Sequence, residues 1–165
     1  MANGTSKIAF LIIAAVLSGC ADIQYVCTSG EESEVMAEAV DFWANRGYAI
    51  AFADDSSQCT IRTRITKQSC PNKQWGEAYA IHCFPEVLPK YFHPTHTIQS
   101  EIRFRELSWI AMGDDSQKKF NFVSRRYTAI HELGHIWFRD HTITGIMQES
   151  MPKNSAVQNK IINLQ

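Results

Sequence analysis

After its first twenty residues the chain has no apolar run that could cross a bilayer, no excess of basic residues and no internal repeat. It also lacks any pair of cysteines at the two-residue spacing of a zinc knuckle. Each absence excludes something. Sixteen Lys and Arg stand against 17 Asp and Glu, a formal net charge of -1, so there is no electrostatic footprint for nucleic acid. Without the short Cys spacing, a metal-knuckle reading of the cysteines has little to stand on. The 165 residues are too few for two ordinary domains, while a hydrophobic content of 45% suffices for one sizeable core. One compact domain is expected.

What is present begins at the N-terminus. Lys7 precedes an apolar run from Ile8 to Leu17, and small residues follow, the pattern of a secretory signal peptide. Its ten apolar residues fall short of the roughly 20 that a spanning helix needs, so the run reads as an h-region. Leu17-Ser18-Gly19-Cys20 then resembles a bacterial lipobox. That resemblance implies cleavage before Cys20, with the cysteine diacylated and its new amino terminus acylated. The mature chain would run from Cys20 to Gln165 and carry a net charge near -2, because Lys7 leaves and no acid does. Acyl chains contribute about 0.8 kcal/mol per buried methylene, so Cys20 is expected to hold the chain at a membrane surface. Ala21, where an Asp would retain a lipoprotein at the inner membrane, implies the outer membrane of a bacterial envelope. Residues 1–19 are therefore expected to be a signal peptide and 20–32 a lipidated tether, with residues 33–165 forming the folded domain.

Cys27, Cys59, Cys70 and Cys83 remain, an even number in an exported chain, which favours two disulfides. Three pairings are open. Ser33 can cap a helix in which Val35, Met36, Ala39, Val40 and Trp43 recur at helical spacing, and Gly47 is a natural stop. Strands are expected over Tyr48–Ala53, Cys59–Lys67, Glu77–Phe84 and Glu101–Leu107, with a loop through Pro85, Pro89 and Pro94. From Phe120 to Phe138 a second helix is marked by Val123, Tyr127, Ile130, Gly134 and Trp137 on one face. A short helix near Ser155–Leu164, with Val157, Ile161 and Leu164 inward, closes the chain. The fold class is α+β.

His131-Glu132-Leu133-Gly134-His135 carries chemistry if it lies on a helix. Two imidazoles four residues apart share one face and can bind one zinc, with Glu132 able to reach its water. Such a site needs a third ligand and an open fourth position, since a closed shell cannot hold and activate water. His141 is the candidate. On a continued helix it would lie roughly 9 Å beyond His135 along the axis, so the chain must turn sharply after Trp137.

The string from His131 through Ile136-Trp137-Phe138-Arg139-Asp140 to His141 resembles the metzincin zinc-peptidase signature. Gly145-Ile146-Met147 resembles that family's Met-turn, in which the methionine packs beneath the ligand rings. The chain departs from the pattern at Phe138, where the family usually has the Gly that ends the helix. The reversal is then expected to shift to Asp140, which tolerates a left-handed backbone better. No Tyr follows Met147 closely, so the end of the chain is more similar to matrixins than to astacins. The resemblance covers about the last half of the chain. It implies a mixed twisted sheet backed by an N-terminal helix and an active-site helix, with a very short C-terminal subdomain ending in a helix. Residues 33–165 would then be one metzincin-like catalytic domain. It further implies Zn2+ on His131, His135 and His141, Glu132 as general base and a peptide or protein substrate. That substrate would add as a strand to a sheet edge, for which Ile102, Arg103 and Phe104 in Glu101–Leu107 are the candidates.

Other readings stay open at this level. Glu149 could replace His141 as third ligand, as in thermolysin-like enzymes, or the chain could be a non-catalytic lipoprotein binding or scaffold module. His93 and His96 sit in a proline-bound loop with no rigid face to fix both rings, and ordinary loop histidines are expected there.

Overall fold

Alternating burial is what builds the sheet. In the computed structural model, described for residues 22–71, 73–76, 78–85, 99–111, 118–149, 151–152 and 155–164, five strands order as β2-β1-β3-β5-β4. They are β1 (Gln24–Cys27), β2 (Ile50–Phe52), β3 (Ile61–Thr66), β4 (Ala80–Cys83) and β5 (Ser100–Arg105). β2, β1, β3 and β5 run parallel, and β4 pairs antiparallel with β5. The described helices are α1 (Ser33–Ala44), α2 (Glu106–Ala111), α3 (Lys118–Gly134) and α4 (Ser155–Leu164). The class is α+β with a mixed sheet, as expected. The signal peptide, Cys20, Pro89, Pro94, His93 and His96 lie outside the described residues.

Three expectations are corrected. First, residues 20–32 are not wholly a tether, because Gln24–Cys27 is a strand between β2 and β3. Its inward residues are Val26, fully buried, and Gln24, whose side-chain carbonyl accepts from the Thr60 hydroxyl. One polar inward residue in a four-residue strand hides the alternation. Second, β5 is not the edge. Ile102 and Phe104 are both 0% exposed between β3 and β4, and Arg103 is held by Glu101 and the Ser69 carbonyl. The edge on that side is β4. Third, α4 turns inward a face that matches the expected one only in part: Ile161 packs partly buried against the core. Gln158 and Ile162 are buried, whereas Val157 is exposed. Gln158 is drawn in by hydrogen bonds with the Ser124 hydroxyl and the Pro152 carbonyl; the Leu164 side chain lies outside the described residues.

The core lies where α1 and α3 pack together beside the sheet. Val35, Met36, Ala39, Val40, Phe42 and Trp43 of α1 meet Tyr127, Ala129, Ile130 and Leu133 of α3. Burying each large apolar side chain contributes about 1.5–3 kcal/mol, so this contact fixes α3. Ser33 is the first helical residue rather than the cap. Glu32 holds the N-cap position without a side-chain cap bond; it is buried, its carboxylate accepting from the Ser29 N–H and the Thr63 hydroxyl. Gly47, at φ 84°, supplies the left-handed stop that no side chain favours.

The four cysteines pair as Cys27–Cys59 and Cys70–Cys83. The first staples β1 to the turn before β3. The second ties the segment after β3 to the end of β4.

Candidate metal centre

The last turns of α3 place His131 and His135 on one face, and the helix then ends by tightening. His135, Ile136 and Trp137 donate to carbonyls three residues back, and Phe138 donates to Gly134 at 2.9 Å. Such three-residue bonds close many helix ends. Asp140 and His141 follow on the returning chain. The helix is thus shorter than the predicted Phe120–Phe138, and the reversal starts without a glycine at 138.

The return brings His141 to the other two histidines. Its ring stacks on His131 at 5.2 Å and meets His135 edge-on at 5.0 Å, while His131 and His135 stand 4.8 Å apart at 88°. One potential ligand atom from each ring lies within 4.8 Å of the others, so the cluster could hold a metal ion. Nitrogens on a tetrahedral zinc would be about 3.4 Å apart, a difference on the scale of a side-chain rotation.

Tautomers are set by carbonyls. His131 Nδ1 lies 2.7 Å from the Ile146 carbonyl and His135 Nδ1 lies 2.9 Å from the Phe138 carbonyl. A carbonyl only accepts, so Nδ1 carries the proton in both rings and Nε2 keeps a lone pair for a metal. Burial pushes the His131 imidazole down and takes His135 to about 4, with the neighbouring histidines adding to the effect. Both rings therefore favour the neutral, ligating form. His131 is buried, His135 half-buried and His141 exposed, so one side of the cluster faces solvent. This donor set fits zinc with an open position.

Glu132 is buried and lines the same cleft as the three histidines. Burial raises its carboxyl to about 7, against the backbone N–H of His82 and the charge of Lys73, which pull it down. His82 is a site residue that the sequence reading missed. Its ring is buried on β4, with Nδ1 2.7 Å from the Glu132 carbonyl and Nε2 2.8 Å from the Ser100 hydroxyl. The first contact fixes the tautomer, Nδ1–H donating, so Nε2 accepts from Ser100. Burial takes this imidazole down to about 3. His82 thus joins β5 and β4 to the turn of α3 that carries Glu132. The available signal was a histidine at an inward position of an alternating strand.

Met147, 4% exposed, lies in the turn that follows His141. Gly145 at φ 90° makes its turn; the Tyr127 hydroxyl donates to the Gly145 carbonyl at 3.0 Å, and Thr142 N–H donates to the Met147 carbonyl at 2.8 Å. Ile146 in the same turn holds His131. Gly134 is needed for close approach, since a Cβ there would lie 2.5 Å from Met147 Sδ and 2.6 Å from Trp43 Cζ2. The Trp43 indole is pinned by its N–H to the Ile130 carbonyl at 2.9 Å.

A cleft of about 1120 Å³ is lined by the three histidines and Glu132, by Ala80, Ile81 and His82 of β4, and by Met151 and Gln158. Ile102, Arg103 and Phe104 do not line it. Glu149 does, but it is outside the ligand cluster, which among the described residues comprises the three histidines. No family model matches the chain, and neither a curated protein nor a solved structure does.

Proposed function

We propose that this chain is a zinc-dependent endopeptidase of the metzincin type. The observation that carries the reading is the convergence of His131, His135 and His141, two of them with Nδ1 tied to carbonyls, beside a buried Glu132 raised to about 7. Those three histidines would hold the ion through their free nitrogens. Zinc supplies Lewis acidity and a lowered pKa for a coordinated water.

The remaining work falls to the chain's own groups. Glu132, poised near neutral pH, takes a proton from the attacking water and returns it to the leaving amine. His82 positions Glu132 through its backbone carbonyl. β4 ends the sheet order among the described residues and lines the cleft with Ala80, Ile81 and His82, so an extended peptide would add there as a strand.

The same proposal keeps the lipid anchor. β1 begins at Gln24, so at about 3.5 Å per residue an acylated Cys20 would hold the domain within roughly 14 Å of the outer-membrane surface. Among the described residues no helix is long and apolar enough to cross a membrane.

The test is hydrolysis of a quenched-fluorescence peptide library by purified zinc-loaded protein and by Glu132→Ala. Cleavage lost in the variant and in chelator supports the reading. Equal rates for both proteins would reject it.

A further inference from the structure

The start of β1 and the reversal after α3 meet at one end of the sheet. The Gln24 N–H donates to the Ala49 carbonyl at 2.9 Å, so the residues that precede β1 leave the fold beside Tyr48. The Tyr48 ring lies 4.5 Å from that of Trp137 and 6.0 Å from that of Phe138. Tyr48, Phe138, Thr142 and Thr144 line one groove of about 370 Å³, together with Arg46 but, among the described residues, with no acid. Ile143, between those two threonines, is 99% exposed, Phe138 is 37% exposed, and Ile23 at the chain's entry is 45% exposed. One exposed apolar residue is ordinary. An isoleucine held clear of the fold beside an aromatic rim, at the point where the chain enters, is a surface that water does not favour.

Strand register decides which end of the domain a short anchor presents. Val26 is level with Ile61, and Ile61 with Ser100. Gln24 stands two residues before that level and Arg105 five beyond it, so at about 3.3 Å per residue α2 begins roughly 23 Å from the point of entry. Leu107 and Ile110 of α2, 67% and 63% exposed, belong to that far end. From Gln24 back to Cys20 the chain reaches about 14 Å when fully extended. An anchor on Cys20 therefore lets the Tyr48 end touch a membrane and keeps the α2 end off it.

We propose that the end of the domain carrying Tyr48, Phe138 and Ile143 docks on the lipid bilayer, with Ile143 and Phe138 among the acyl chains and Tyr48 and Trp137 at headgroup level. This rests on lipidation of Cys20 in the reading above and is independent of peptidase activity. Tyr and Trp suit that depth because each has an apolar body and a polar tip. The contact is apolar rather than electrostatic. The mature chain has a net charge near -2, and the exposed Asp22 and Asp140 flank the face, so an anionic surface gains nothing from charge and salt has little effect. His82 bonds both to Ser100 at the start of β5 and to the Glu132 carbonyl, which puts the histidine cluster at this same end and close to the lipid.

The experiment uses the mature lipidated protein in vesicles of phosphatidylethanolamine and phosphatidylglycerol, with a nitroxide on a single added cysteine, Ile143→Cys or Leu107→Cys. Both replace an exposed apolar residue, so the label itself favours neither end. Electron paramagnetic resonance reads collisions with oxygen, which concentrates in the bilayer, and with a water-soluble nickel chelate. The expected result is a several-fold higher ratio of oxygen to nickel collisions at 143 than at 107, unchanged at high salt. Free access of nickel to both labels means that the domain swings on its anchor, and overturns the docking. Shielding at 107 instead of 143 overturns it as well. Shielding at 143 that rises with the protein-to-lipid ratio assigns the face to a second copy of the chain and overturns the lipid. Mass spectrometry of the N-terminus tests the anchor separately. If Cys20 carries no acyl chain, the anchor reading fails, and the same two labels on that protein with saturating vesicles still decide: shielding at 143 alone supports the docking face, and free access overturns it.

Discussion

Gly134→Ala should destabilise the protein although it replaces glycine by the best helix former in the last turn of α3. On an exposed helix the exchange would gain about 1 kcal/mol. Here the added methyl would sit 2.5 Å from Met147 Sδ and 2.6 Å from Trp43 Cζ2. Met147 is 4% exposed and Trp43 3% exposed, and the indole is held by its bond to the Ile130 carbonyl, so neither has free space to enter. Overpacking of this kind costs about 1–3 kcal/mol, and two sub-3 Å contacts with one fixed partner place it at the upper end. The net loss is then about 2 kcal/mol, or a fall in Tm of roughly 4–8 °C for a chain this size. Because Met147 shares its turn with Ile146, whose carbonyl holds His131, zinc affinity should also drop, by about tenfold. Thermal unfolding of the metal-free protein and a competitive zinc titration read both effects. Adding Met147→Ala should recover part of the stability lost, which a double-mutant cycle measures. A variant as stable as wild type, or more so, would refute the packing argument.

His141→Ala should abolish tight zinc binding by removing one of three imidazoles, whereas Glu149→Ala, outside the cluster, should leave it intact; isothermal titration separates them. His82→Ala should cost about 2 kcal/mol, from two buried hydrogen bonds at about 1 kcal/mol each, and should lower kcat more than it raises KM because it loosens Glu132. Replacing Cys70 and Cys83 by Ser should cost about 3 kcal/mol by loop entropy, measured by urea unfolding.

Much of this was legible because the relevant patterns are local. The period of α3, the paired histidines and Gly145 ahead of Met147 each depend on near neighbours in sequence. The last helix was legible for the same reason, with α4 falling on Ser155–Leu164, whereas α2 at Glu106–Ala111 and the early end of α3 at Gly134 were not. What stayed hidden depends on partners distant in sequence. β1 carries Gln24 inward because Thr60 answers it, and α4 turns Gln158 inward because Ser124 and Pro152 do. The choice of β4 over β5 as the edge is a matter of strand order, to which alternation within a strand is blind. His82 became a site residue only when the sheet brought β4 against α3. Disulfide pairing likewise followed from topology.

The central claim is that the reversal after α3 gathers three imidazoles around one ion and leaves a position for solvent. X-ray absorption spectroscopy of the zinc-loaded protein measures this shell directly. The account predicts three imidazole nitrogens and one light, non-protein oxygen at about 2.0–2.1 Å, with one imidazole lost in His141→Ala. A shell of two imidazoles, or one unchanged by removing His141, would contradict it.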